Sequence, residues 1–279
     1  MISPHTQELD WLTAAALGAI QGIAEFLPIS SSGHLSLAQS WLGLDPAIAG
    51  HRFNIVLHAG TLAAVLWVFR SDLFELIRSL FQPVDRGPHV RPARRTFSAL
   101  VLATLPLGLV LVPGVEDLLV AMESRPRWVG VALLVTAAVL FFSHRKQPPN
   151  DLRSSPPSLL HSVLIGVAQM ISVAPGISRS GSTIAAGLAL GMGRARAARF
   201  SFLLSIPAIG GASAKELLSI ISDEGSAPVD TGVFAIGFFV SLGTGLFALR
   251  SLLKLIERVG MLPFVPYLIA VGLTSILLS

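Results

Sequence analysis

Apolar residues gather into ten runs along the chain, separated by short polar stretches. Five lie in the first half, at about 11–27, 34–43, 53–81, 97–113 and 126–142; five lie in the second, at about 159–173, 182–192, 197–221, 232–256 and 262–278. A helix needs about 20 apolar residues, or about 17 at the short end, to cross the hydrocarbon core of a bilayer. The 34–43 and 182–192 runs fall short of that. Each follows an earlier run across a Pro and a Ser/Gly cluster, so each pair reads as a hairpin that enters the membrane and returns. Non-helical backbone at that depth must be buried in protein or line a wet cavity. Three runs per half remain as crossings, and an odd number turns the second half upside down. The expected architecture is an all-α integral membrane protein with a single membrane domain. It is an inverted-topology repeat of two five-helix halves, residues 1–150 and 151–279, each with one re-entrant helical hairpin and three full crossings.

The two polar breaks repeat each other. Gly18 to His34 reads GAIQGIAEFLPISSSGH and Gly166 to Ser182 reads GVAQMISVAPGISRSGS. Aligned without a gap, at an offset of 148, they share Gly18/Gly166, Gln21/Gln169, Ile23/Ile171, Ile29/Ile177, Ser30/Ser178, Ser32/Ser180 and Gly33/Gly181. RFNIVL at Arg52–Leu57 echoes RFSFLL at Arg199–Leu204, at an offset of 147. Interrupted segments at matching places in two halves point to a site at the bilayer midplane.

Charge content supports the membrane reading. Charged residues make up 13% of the chain and hydrophobic ones 52%, against roughly 25% charged in soluble domains. The sequence pI near 10.3 would suggest nucleic acid in a soluble protein. Here the basic residues sit in loops between apolar runs, so no nucleic-acid partner is expected and the charge reports topology instead. No Lys or Arg precedes Arg52. The clusters Arg86/Arg91/Arg94/Arg95, Arg145/Lys146/Arg153, Arg194/Arg196/Arg199 and Arg250/Lys254/Arg258 fall on one face of this topology. The N-terminus and the stretches Glu116/Asp117/Glu123 and Asp223/Glu224/Asp230 fall on the other. By the positive-inside rule both termini lie outside, the first hairpin enters from outside and the second from the cytoplasm. Their tips then meet in mid-membrane. The chain has no Cys, which excludes disulfides and thiolate chemistry, and its N-terminus lacks the basic region of a cleaved signal peptide.

Glu25 is the only acidic residue between Asp10 and Asp45, and Arg179 the only basic one between Arg153 and Arg194. Each would cost about 2.5–3.5 kcal/mol at the centre of a membrane helix, so each is a functional candidate. A bare ion pair holding the hairpins together is the plainer reading, but it leaves the hydroxyls of Ser30, Ser31, Ser32, Ser178, Ser180, Ser182 and Thr183 unexplained. These lie just before new helices expected to begin near Gly33 and Gly181. Helix N-termini attract anions, and arginine offers a planar fork to phosphate oxygens; sulfate or carboxylate would suit the same groups. Gln21 and Glu25, four apart, share a helix face and are hard oxygen ligands for a divalent cation, Mg²⁺ or Ca²⁺. His34 closes the first island as an acid–base group or phosphate contact. His58, in mid-helix, reads as structural.

QGIAEFLPISSSGH and APGISRSGST resemble the two signature segments of the undecaprenyl-diphosphate phosphatase family of the bacitracin-resistance type. The resemblance covers the whole chain, including RFSFLLSIP at Arg199–Pro207. It implies a bacterial plasma-membrane enzyme that removes the terminal phosphate of undecaprenyl diphosphate, recycling the carrier lipid for the cell wall. The first signature, Glu or Gln followed by Glu four residues on, maps onto Gln21 and Glu25, one carboxylate fewer than the alternative. The second, PGxSRSxxT, maps onto Pro175, Gly176, Ser178, Arg179, Ser180 and Thr183. The candidate catalytic residues are Glu25, Ser31, His34 and Arg179, with Ser30, Ser178, Arg179, Ser180 and Thr183 holding phosphate and Gln21 and Glu25 the cation. Ser31, opposite Arg179 in the repeat, is the first candidate nucleophile; metal-activated water is the alternative. Unrelated lipid phosphatases with a SRxxxxxH motif use its histidine as nucleophile, but here that place is Ala185. The expected partners are a polyprenyl diphosphate, the bilayer and a second copy in a homodimer, with the site opening to the outer face. The competing class is a transporter or flippase of lipid phosphates, which shares the inverted-repeat build.

Overall fold

The computed structural model describes residues 9–44, 51–83, 87, 89–144, 156–222 and 230–279, and among these every regular element is a helix. In chain order they are α1 (Trp11–Ala24), α2 (Ser31–Trp41), α3 (His51–Val68), α4 (Arg70–Phe81), α5 (Val90–Thr104), α6 (Val115–Glu123), α7 (Pro126–His144), α8 (Leu159–Ile171), α9 (Arg179–Ala189), α10 (Arg194–Ser222), α11 (Thr231–Arg258) and α12 (Phe264–Leu277). Side-chain caps set several starts. Asp10 accepts the Thr13 N–H at 2.8 Å, Ser158 that of His161 at 3.2 Å, and Asp230 that of Gly232 at 2.8 Å, each filling a donor that the first turn leaves open. Past Thr104, α5 tightens into a 3₁₀ stretch over Leu105–Leu111, where Pro106 cannot donate to the α-helical ladder.

Among the described residues, four stretches are long and apolar enough to cross a membrane: Val90–Leu111, Pro126–His144, Arg194–Ala214 and Thr231–Arg258. The bent pair α3 and α4 makes a fifth if counted as one. The chain is therefore a multi-pass membrane protein. All four tryptophans, Trp11, Trp41, Trp67 and Trp128, are between 51% and 64% exposed, as suits rings that anchor at the lipid–water boundary.

Three expectations change. The 53–81 run is two helices that meet at 71° about Phe69. Phe69 is buried, 6.4 Å from Phe202, whose ring meets that of Phe26 edge-on at 5.9 Å. Beyond the bend, Arg70, Asp72, Glu75 and Arg78 interleave with exposed Phe74, Ile77 and Phe81, so α4 is amphipathic. The 262–278 run, expected as a crossing, forms α12 with only 14 residues, about 21 Å of helix. The acidic stretch expected as a loop after residue 114 contains α6.

Helix pairing positions the polar breaks. α1 lies along α11 and α8 along α5, while α3 packs on α10 and α11 and α7 on α12. α7 and α12 cross at Gly130 and Gly272. A Cβ on Gly130 would stand 2.7 Å from the Gly272 carbonyl, and one on Gly272 2.9 Å from the Gly130 carbonyl. Small residues permit such close backbone contact, which drives helix association in lipid.

Candidate active site

α1 stops at Ala24 and α2 starts at Ser31; α8 stops at Ile171 and α9 starts at Arg179. Ser31 and Arg179 are thus each the first residue of a helix. The new helices begin two residues earlier than expected. Phe26, fully buried beside Phe202, anchors the first break in the core. Ser30 sits at φ 71°, an uncommon conformation for a residue with a Cβ. Its Oγ accepts the N–H of Gly33 at 3.4 Å, capping α2, and that of Gly176 at 3.1 Å, bridging to the second break. In return, Ser180 Oγ donates to the Leu27 carbonyl at 3.2 Å. Thr136 of α7 holds the second break from behind, donating to the Gly176 carbonyl at 2.9 Å and accepting the Ser178 N–H at 3.1 Å. The two breaks are thus bonded to each other and mounted on α7.

Glu25 is the centre of this junction and is buried. Its Oε1 accepts Arg179 Nη2 at 2.5 Å, and its Oε2 accepts Ser31 Oγ at 2.6 Å and Gln21 Nε2 at 3.1 Å. Arg179 Nη1 is also buried but has no protein partner. A cavity of about 40 Å³ opens here, lined among others by Glu25, Ser30, Ser31, Ser32, Ser178 and Arg179. A larger cleft of about 400 Å³ between α4 and α5 holds none of the residues singled out by the motifs. We assign the site to the small cavity because the buried charges and the unpartnered arginine donor are there.

Other expected site residues are placed differently. Ser178 Oγ caps α9 through the Gly181 N–H at 3.1 Å and approaches Ser180 Oγ at 3.2 Å. Gln21, His34, Ser180 and Thr183 lie outside the cavity lining. Thr183 Oγ1 donates to the Arg179 carbonyl at 2.8 Å and meets Ser201 Oγ at 2.6 Å, so it braces the first turn of α9. His34 Nδ1 is 2.8 Å from the Ser30 carbonyl, which can only accept, so this nitrogen carries the proton. Its Nε2 faces the Tyr267 hydroxyl of α12 at 2.8 Å, with the rings stacked.

Two further residues meet this junction. Ser172 lines the cavity and is the register partner of Ala24. His58 Nδ1 lies 2.8 Å from Gln21 Nε2 and 3.7 Å from Glu25 Oε2. Its signal was present, since His58 is the only ionisable side chain between Arg52 and Arg70, and such groups inside apolar helices mark function.

The donor set admits a divalent cation on one condition. Gln21 Oε1 is buried without a partner and offers a hard oxygen one turn from the Glu25 carboxylate. Among the described residues, however, no three His, Asp or Glu side chains gather to hold a metal, and Arg179 already offsets the charge of Glu25. Anionic ligand oxygens must complete the shell.

The profile of the bacitracin resistance protein BacA family matches residues 14–274. The chain is 39% identical to an undecaprenyl-diphosphatase of Methanosphaera stadtmanae, over 97% of this chain and 99% of that one. It is 38% identical to an undecaprenyl-diphosphatase of Rubrobacter xylanophilus, over 95% and 96% of the two chains. Undecaprenyl-diphosphatase 2 of Stutzerimonas stutzeri is also 38% identical, over 97% and 98%. The profile spans both breaks and the relatives align almost end to end, so the chain belongs to the bacitracin resistance protein BacA family.

Proposed function

We propose that this chain hydrolyses undecaprenyl diphosphate to undecaprenyl phosphate and inorganic phosphate in a bacterial plasma membrane. That reaction recycles the carrier lipid for cell-wall synthesis and underlies bacitracin resistance. Its family supports the chemistry. The observation that carries the reading is the Ser31 hydroxyl directed at Glu25 Oε2 beside the unpartnered Nη1 of Arg179.

The Ser31 oxygen attacks the terminal phosphorus as its proton passes to Glu25. The phosphorus–oxygen bond to the bridging oxygen breaks, undecaprenyl phosphate leaves, and the phosphoryl group stays on Ser31. Glu25 hands that proton to the departing bridging oxygen. Water then attacks the phosphoserine, giving a proton to Glu25, which returns it to the Ser31 oxygen as that phosphorus–oxygen bond breaks and inorganic phosphate leaves. Arg179 holds the phosphoryl oxygens with its free arm while its other arm keeps Glu25 in place. The first turns of α2 and α9 add N–H groups that lack intrahelical acceptors. A divalent cation, Mg²⁺ or Ca²⁺, held by Gln21 and Glu25 together with the diphosphate, would neutralise charge as the anhydride breaks.

In this reading residues 1–150 and 151–279 are inverted repeats, α1–α2 and α8–α9 are re-entrant hairpins, and the termini and site face outward. The exchanged pairing of α1 with α11 and α8 with α5, and the reciprocal Gly130–Gly272 contact, support it. Phosphate release by detergent-solubilised protein tests the function. Undecaprenyl diphosphate should be cleaved in Mg²⁺ and left intact in excess EDTA, and Ser31→Ala should lower kcat by about a thousandfold or more. Full turnover in EDTA would remove the cation. Near-normal kcat of Ser31→Ala would remove the phosphoserine.

A further inference from the structure

Gln21 is fully buried, and its side-chain nitrogen faces two acceptors, Glu25 Oε2 at 3.1 Å and His58 Nδ1 at 2.8 Å. An amide nitrogen has two hydrogens and no lone pair, so it donates to both. His58 Nδ1 must then be bare, with the ring proton on Nε2. Turning the amide over would set its oxygen against the Glu25 carboxylate, acceptor against acceptor. With both hydrogens engaged, the amide plane is fixed by two points instead of one. What remains is Oε1, buried and without a protein partner. Buried polar atoms are almost always satisfied, so this oxygen, one turn from the Glu25 carboxylate, is open to a ligand from outside the chain.

We propose that His58 is a positioning residue. By accepting the Gln21 amide hydrogen, it holds Gln21 Oε1 in place as a ligand for the divalent cation. The inference rests on the cation reading given above. It also explains why a neutral glutamine serves here: its nitrogen can be tied back, which leaves its oxygen without a protein partner. His58 touches neither substrate nor cation in this role. It acts through Gln21, as partners behind metal ligands commonly do, and their loss typically weakens metal affinity 10–100-fold.

The test titrates Mn²⁺ into detergent-solubilised full-length protein saturated with a methylene-bridged, non-hydrolysable farnesyl diphosphate. Free ion is read from its electron paramagnetic resonance signal against a blank of the analogue in detergent. His58→Leu should weaken Mn²⁺ binding about tenfold or more, with kcat at saturating cation within about threefold of wild type. His58→Asn places an acceptor near the position of Nδ1 and should recover most of the affinity. In a Gln21→Leu background, His58→Leu should add no further loss. Unchanged affinity in folded His58→Leu, or an independent loss on top of Gln21→Leu, would overturn the inference and leave the cation reading standing. Should His58→Leu not fold, His58→Ala and His58→Asn carry the same comparison. Wild-type protein that takes up no Mn²⁺ beyond the blank would overturn the cation reading, and this inference with it.

Discussion

Arg179 spends one arm on Glu25 and keeps the other free inside the protein. A lysine there would preserve the charge, and with it most of the ion pair, but would lose the planar fork. Charge-assisted hydrogen bonds contribute roughly 1.5–3 kcal/mol, so Arg179→Lys should lower kcat/KM about tenfold to a hundredfold while the protein inserts and folds. Normal turnover at matched expression would make the arginine structural. Glu25 and Arg179 could be picked out in the sequence because a charge amid apolar residues costs too much to be incidental. The hydroxyls around them could not be sorted in the same way. Serine composition does not say whether an Oγ caps its own helix, as those of Ser30 and Ser178 do, or donates to the buried carboxylate, as that of Ser31 does. His58 stands out in its apolar helix, but its contact with Gln21 spans 37 residues, a distance that no local pattern covers.

At the scale of elements, the junction of the two breaks depends on backbone approach. A Cβ on Gly33 would stand 2.9 Å from the Gly176 Cα, and Gly176 itself has φ +94°. Backbone cannot swing aside as a flexible side chain can. Gly33→Ala should therefore destabilise the protein by about 1–3 kcal/mol and reduce activity further by parting Ser31 from Arg179. Gly210→Ala is the control, since its Cβ would meet only Leu62 Cδ2 at 4.0 Å and alanine is favoured in a helix by about 0.5–1 kcal/mol. Thermal midpoints and phosphate release on both variants separate the two expectations; equal behaviour would mean the breaks are not tightly joined. Hydropathy showed where helices lie and where they break at Pro and Ser/Gly clusters. It could not show the bend at Phe69, because an aromatic residue that turns the chain into a core of Phe26 and Phe202 is as apolar as one that continues straight through.

For the whole molecule, the proposed topology puts Ser124, after α6, outside and Ser71, at the start of α4, inside. Both side chains are exposed, and the chain has no cysteine to remove. An impermeant maleimide on intact cells should label Ser124→Cys and spare Ser71→Cys; the opposite pattern would invert the orientation. The proposed repeat also bears on stoichiometry. At the offset of 148, Glu25 falls on Val173 and Arg179 falls on Ser31. The counterpart of the Glu25–Arg179 contact is thus Val173 with Ser31, which carries no charge. Ser31 stands where the second break has its arginine, so the place that a symmetry-related second centre would need for arginine is held by the hydroxyl of the proposed one. On the proposed site and repeat, a chain that carries one centre has no residues left for a second.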